Sequence, residues 1–217
     1  MLYLLDSDAA KKLCQYNLIA DLATALRITL ADFAVLPQLK FQLHVAKPDK
    51  SLKKLGSPEA VTQLKLLLEN ASEIEIGHVG AALMLTLNRP DIDSGEQLLF
   101  LALTENKDSG LVTGDKRALV ALSKINDSQP LAALWVRIMC LEDALLLLAT
   151  VGSFDSVSIK VRQRPDVDTA ISLAFGRQTA NTQEGVIEGL ASYIRALQQS
   201  TNGTYKLGGT HLPLMYN

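Results

Sequence analysis

Three short stretches of this chain put a carboxylate where an apolar strand would give way to a helix. In LVTGDKRAL (111–119), Leu111 and Val112 suit a buried strand, Gly114 loosens the turn, and Asp115 stands where a helix begins. LYLLDSDAAKKL (2–13) sets Asp6 and Asp8 behind a short apolar strand, and DIDSGEQLLFLAL (91–103) sets Glu96 at the start of an apolar helix. The carboxyl ends of parallel strands form the edge at which open α/β sheets bind ligands. Carboxylates gathered there hold Mg²⁺ or Mn²⁺, hard cations that prefer oxygen. Such a site activates water and offsets the charge that develops on a phosphoryl group. Helix capping is a sufficient separate reason for Asp8, Ser94 and Asp115. The joint pattern, not any one acid, points to chemistry.

The elements that must position these acids follow from the hydrophobic pattern. Residues 2–5 read as a first buried strand, and Asp8 as the cap of a helix from about Ala9 to Leu26. A short second strand is expected at 28–30, then a helix carrying Phe33, Leu36, Leu39 and Leu43 that Pro37 breaks. Ser57-Pro58 starts a helix to about Asn70, with Ser as cap and Pro in the first turn. Ile74 and Ile76 alternate like a strand, and 81–87 suits a helix. Ser94 caps the Glu96 helix, and the helix after Asp115 ends near Asp127-Ser128. WVRIMCL (135–141) reads as a further strand, followed by a helix over 142–150. Strands alternating with helices predict a three-layer α/β/α domain with a central, mostly parallel sheet over residues 1–150. Beyond it, a mainly helical C-terminal extension (151–217) is expected. It comprises an edge strand at VSIKVRQR (157–164), helices near 166–176 and 182–200, and a loose tail from Asn202.

Composition narrows the function. With 48% hydrophobic and 20% charged residues the chain reads as ordered and globular. A net charge of −2 gives no global attraction for nucleic acid, so any such binding has to be local. Local cations exist: Lys116 and Arg117 beside the proposed site, the 40–54 segment with Lys50, Lys53 and Lys54, and Lys160 to Arg164. These could neutralise phosphates, although charge runs are more commonly solvated loops. Aromatics at 5% argue against base-stacking platforms. Cys14 and Cys140 form no C-x-x-C, so neither a disulfide framework nor a zinc finger is indicated. His44, His78 and His211 are scattered, and no Ser/His/Asp, Walker or dinucleotide fingerprint occurs. GHVGAALM (77–84) is too loose for a phosphate loop. The apolar run at 144–152 is short of the roughly 20 residues a membrane helix needs. No signal peptide is legible, so a cytoplasmic setting without membrane contact is expected.

The order LYLLDSDAAKKL, DSGEQLLFLAL, LVTGDKRAL, followed by WVRIMCLEDALLLLA (135–149), resembles the PIN-domain family of metal-dependent nucleases over residues 1–150. The resemblance implies an acidic pocket that holds Mg²⁺ or Mn²⁺ and hydrolyses phosphodiester bonds, usually in RNA. It assigns metal binding to Asp6, Glu96 and Asp115, with Asp93 assisting and Asp8 behind them. Ser7 and Thr113 match the small hydroxyl residues beside such acids, Thr113 orienting the ligands. Many members are toxins neutralised by an antitoxin, which implies an inhibitory protein as a candidate partner, and a homo-oligomer is compatible with it. One departure is plain. VLPQLKFQL (35–43) offers Gln38, Lys40 and Gln42 where the family carries another acid.

Two other readings stand beside this one. A PIN-like scaffold that binds RNA (or DNA) or a protein without cutting would account for the missing acid. Asp6-Ser7-Asp8 also resembles the D-x-D of haloacid-dehalogenase-like phosphatases, in which the first Asp attacks phosphorus and the second is a general acid. That family expects an Asp four residues after Asp115, where this chain has Leu119. It also leaves Glu96 without a role.

Overall fold

A strand covered on both faces needs an unbroken apolar run rather than an alternating one, and Leu2–Leu5 meets that need as β1, with Leu4 and Leu5 buried. In a computed structural model, which describes residues 1–75, 77, 81–125 and 129–206, β1 is the middle of a five-stranded sheet. Its companions are β2 (Phe33–Val35), β3 (Ser72–Glu73), β4 (Ser109–Thr113) and β5 (Ile138–Cys140). The order is β3-β2-β1-β4-β5 and every pairing is parallel. The expected α/β class with a parallel sheet is therefore present.

Helices make every connection. α1 (Ser7–Gln15) and α2 (Ile19–Ala25) lead from β1 to β2; α3 (Leu39–Gln42), α4 (Pro48–Leu55) and α5 (Pro58–Asn70) lead on to β3. α6 (Ala81–Leu87) and α7 (Ser94–Glu105) bring the chain back across the sheet to β4. α8 (Lys116–Ser123) and α9 (Gln129–Ala132) precede β5, and α10 (Leu141–Val151) follows it. α11 (Phe154–Arg162), α12 (Thr169–Ala174) and α13 (Gln183–Ser200) complete the fold. From β1 the chain builds outward on one side through β2 and β3, then crosses to build the other side through β4 and β5. The topological switch point thus falls between β1 and β4, and its crevice opens at their carboxyl ends.

The last helices are a packing requirement of α10. Residues 141–149 are buried on every face, the mark of a helix inside a core. α13 covers α10 with Val186, Leu190, Ile194 and Leu197, all buried four or so residues apart. One apolar cluster runs without a break from Tyr3 to Tyr205. Among the described residues no helix is long and apolar enough to cross a membrane.

Several local expectations are corrected. The edge strand expected at 157–164 is the helix α11: Val157 and Val161, one turn apart, are buried, whereas Ile159 is 55% exposed. The alternation of that stretch also fits a helical period, and helical packing decides it. Residues 30–32 form a 3₁₀ turn capped by Thr29, and the second strand is Phe33–Val35. Phe33 and Leu36 therefore precede the short α3 instead of sharing a helix with it. The long first helix is divided near Asn17, which takes φ of 57°. The caps are Asp6 and Asp93, one or two residues before the Asp8 and Ser94 expected. The 182–200 helix is capped by Thr182. Trp135–Arg137 is a 3₁₀ turn before β5. Tyr205, in the tail expected to be loose, is fully buried. Ile76, His78, Asp127, Ser128, His211 and the tail from 207 lie outside the described residues.

Candidate active site

Asp6 follows the last residue of β1, and its backbone N–H continues the ladder to the Val112 carbonyl at 3.0 Å. It occupies the N-cap position of α1, yet its side chain does not cap the helix. The carboxylate turns across the sheet instead. Its Oδ2 accepts from the backbone N–H of Gly114 at 3.2 Å and lies 3.4 Å from the Thr113 hydroxyl. Burial raises its pKa above the ordinary carboxylate value, and the Gly114 N–H partly opposes that shift. Thr113 in turn accepts from the backbone N–H of Asp115 at 3.1 Å, so one hydroxyl ties the end of β4 to both acids. Ser7 opens α1 directly behind Asp6.

Asp115 is the N-cap of α8. Its Oδ1 accepts from the N–H groups of Arg117 and Ala118 at 2.8 and 3.0 Å, and its Oδ2 lies 3.4 Å from the Arg117 guanidinium. Capping therefore occupies one oxygen and leaves the other facing outward; structural and chemical roles coexist in one side chain. Glu96 comes from the facing helix α7, where it closes a capping box with Asp93. The Asp93 N–H donates to Glu96 Oε2, and Glu96 N–H donates to Asp93 Oδ1. Glu96 also lies near enough to Asp115 for each to perturb the other's titration. Burial, with the negative charges of Asp93 and Asp115 nearby, pushes the Glu96 pKa up to about 8. Burial acts against charge on Asp115 too, but the Ala118 and Arg117 donors outweigh it and hold its carboxyl below the ordinary value. The negative charge of Asp115 thus adds to burial in disfavouring ionisation of Glu96. Two like charges in contact cannot both ionise without a cation between them.

The surroundings set the charge balance. Asp8 lies against Gly114, where an added Cβ would meet Asp8 Oδ2 at 2.4 Å and displace that carboxylate. Lys12, one turn on, bridges Asp8 at 2.8 Å and Asp168 at 2.9 Å. Asp8, Gly114, Asp115, Lys116 and Arg117 line an open groove over the acids. Lys116 is held by Glu142 at 2.5 Å, while the Arg117 side chain is 85% exposed. Arg117 is therefore the more exposed of the groove's two cations, with its guanidinium beside Asp115. Lys50, Lys53 and Lys54 are exposed on α4, but they do not join the groove. The α4 carbonyl of Leu55 accepts from Gln15, the last residue of α1. That is the opposite end of α1 from the acids, about 12 Å away at the helical rise. Gln38, Lys40 and Gln42 sit at the carboxyl end of β2 and add no acid there.

Two contributors were not anticipated. Glu142 stands in the first turn of α10 behind β5, the same strand-then-acid layout as Asp6 and Asp115, legible in MCLED (139–143). Tyr193 of α13 lies with its ring centroid 5.7 Å from Lys116 Nζ. Nothing local in its sequence marks that position.

The donor set fits a largely hydrated Mg²⁺ or Mn²⁺. Magnesium is commonly held by one or two carboxylates and keeps several waters, and Glu96 beside Asp115 is a crowding of negative charge that a cation would relieve. Among the described residues no three His, Cys, Asp or Glu side chains form a closed metal-binding group. The fit is thus to a carboxylate pair with Asp6 behind it, not to a three-carboxylate cage. Comparison with known proteins matches no family model, no curated protein and no solved structure.

Proposed function

We propose that this chain is a PIN-like, three-layer α/β/α hydrolase that cuts phosphodiester bonds in single-stranded RNA, assisted by Mg²⁺ or Mn²⁺. The observation that carries the reading is the gathering of acids at the switch point between β1 and β4: Asp6 and Asp115 are both hydrogen-bonded to Thr113, and Glu96 lies near enough to Asp115 to feel its charge. Glu96 and Asp115 would hold the ion, with Asp6 behind them. When bound, the ion lowers the pKa of a coordinated water and offsets charge on the phosphoryl oxygens. The chain's own groups do the rest. Thr113 fixes Asp6 relative to Asp115 through its two hydrogen bonds. Asp93 holds Glu96 in its rotamer through the capping box. Arg117, exposed on the rim, is placed to meet a phosphate. Asp115, with its carboxyl held ionised, would serve as a charged ligand rather than as a proton acceptor.

A second reading has specific support: a scaffold that binds RNA or an inhibitory protein without cutting. The acid missing from the 35–43 stretch and the absence of a closed three-carboxylate group favour it. The phosphatase reading is less favoured, because its nucleophile would be Asp6, which is 7% exposed and already engaged by Gly114 and Thr113. The deciding experiment is cleavage of labelled single-stranded RNA with Mg²⁺ or Mn²⁺ by wild type and by Asp115→Asn. Asparagine keeps the cap and removes the charge. Metal-dependent cutting lost in the variant supports the hydrolase; retention of RNA without cutting by either protein supports the scaffold.

A further inference from the structure

The carboxyl edge of the sheet carries a feature that the acids do not use. Immediately after β2, α3 presents Phe41, 70% exposed, with Lys40 Nζ 5.5 Å from its ring centroid. Lys40 is tied at 2.5 Å to Glu73, the last residue of β3. At the other end of the same edge, Tyr193 lies 5.7 Å from Lys116, which is tied at 2.5 Å to Glu142 behind β5. Most other aromatic rings among the described residues, including Tyr3, Tyr16, Phe33, Phe100, Phe175 and Tyr205, are buried in the core. Along the edge, in strand order, come Lys40/Phe41, then Glu96 and Asp6, then Asp115, then Lys116/Tyr193.

We propose that these two lysine–aromatic pairs are stacking platforms for unpaired bases, placed on either side of the acids, so that one single strand of nucleic acid lies across the carboxyl edge with a phosphate over Asp115. The inference rests on the hydrolase reading for the position of that phosphate. Each pair combines what a single strand offers: a ring face for a base and an ammonium for the adjoining phosphate. The lysines keep their places because each is anchored by a glutamate, and an ammonium has three donors, enough to hold that carboxylate and still meet a phosphate. The carboxyl ends of β2 and β4 are two strand spacings apart, roughly 10 Å. The platforms lie at or beyond those ends, a distance that a strand of a few nucleotides spans. Tyr193 is held rigidly, because Leu190 and Ile194 on the same helix are buried. A duplex is excluded from this mode, since its bases are already stacked on one another.

The test is anisotropy of a labelled eight-nucleotide oligoadenylate against the same-length chain of abasic sugar-phosphates, in Mg²⁺ and again with EDTA. Phe41→Ala and Tyr193→Leu are compared with Phe41→Tyr and Tyr193→Phe, and thermal melting checks that each variant is folded. Leucine keeps most of the Tyr193 packing and removes the ring. The expected result is that wild type prefers the base-bearing strand, and that each ring-removing variant loses about tenfold in affinity for it. The ring-keeping variants and all binding to the abasic chain should be unchanged. Wild type that binds both chains equally, or variants that bind as wild type does, would overturn the platforms while leaving the hydrolase reading standing. No binding of wild type to either chain in either buffer would overturn both.

Discussion

Two carboxylates, Asp115 and Asp143, occupy equivalent places at the same edge of the sheet, each at or near the start of the helix that follows a parallel strand. Their fates differ. Asp143 is 3% exposed and accepts from the Tyr205 hydroxyl, which in turn accepts from the backbone N–H of Cys140 at 2.7 Å. The Cys140 thiol lies 3.7 Å from the same carboxylate. Burial drives the pKa values of both Tyr205 and Cys140 well above their ordinary values, so neither ionises near neutrality. This is a closed polar knot that pins the C-terminal segment onto β5. Asp115 opens on a groove instead, and its charge helps to hold the Glu96 pKa up. Position in an α/β fold brings an acid to the edge; its partners decide whether it is a rivet or a reagent.

The largest effect that would break this contrast is structural. Tyr205→Ala removes a fully buried ring that packs edge-on to Trp135 at 6.5 Å and deletes a donor to a buried carboxylate. A loss of about 3–5 kcal/mol is expected by denaturant unfolding. Tyr205→Phe should cost about 1–3 kcal/mol, the hydroxyl alone. A variant as stable as wild type would show that the knot is not a rivet.

Next in size is Asp115→Asn. Stability should move by less than about 0.5 kcal/mol, since Asn caps as well as Asp. RNA cleavage should fall by about 10²–10³-fold, the usual cost of removing one charge-stabilising group. Cleavage by the folded variant equal to wild type would make Asp115 a cap and nothing more.

A third prediction separates the sites by pH. Glu96 has a pKa raised to about 8 from an ordinary 4.5, so folding favours its protonated form. The stability it contributes is fully present below 4.5 and is lost as pH rises through about 8. The melting temperature should therefore decline across that window, and Glu96→Gln should flatten the decline. Mg²⁺, which favours the ionised pair, should raise the wild-type melting temperature more at pH 8 than at pH 5. The same shift in both variant and wild type would move the cation elsewhere.

The pattern of these residues explains what the sequence disclosed. Asp6, Glu96 and Asp115 are legible because each sits at or near the start of a helix, two of them directly behind an apolar strand. The cap expected at Asp8 falls to Asp6, whose side chain turns away from the helix because Gly114 and Thr113 reach it from a strand 107 or more residues later. No window of sequence contains that contact. α11 was misjudged as a strand for a related reason: Val157, Ile159 and Val161 satisfy both periods, and only packing chooses between them. Tyr193 and Phe41 are ordinary aromatics in sequence, and the strand order that lines them up with the acids was not readable at all.

The smallest effects belong to the surface cations, and they sharpen the contrast by showing which charges face the groove. Arg117→Ala should weaken RNA binding at low salt and reduce the slope of log affinity against log salt by about one, the loss of one phosphate contact. Paired Lys53→Ala and Lys54→Ala should change neither, because α4 is tied at Leu55 to the far end of α1. Both sets should leave stability within about 0.5 kcal/mol, as exposed side chains do. Lys116→Ala is the informative intermediate. It uncovers Glu142, whose side chain is 7% exposed, so it should cost stability as well as affinity. Salt titrations and melting curves on the same proteins distinguish the three outcomes. A lysine pair on α4 with the larger salt slope would place the strand on the opposite side of α1 and remove the carboxyl edge from consideration.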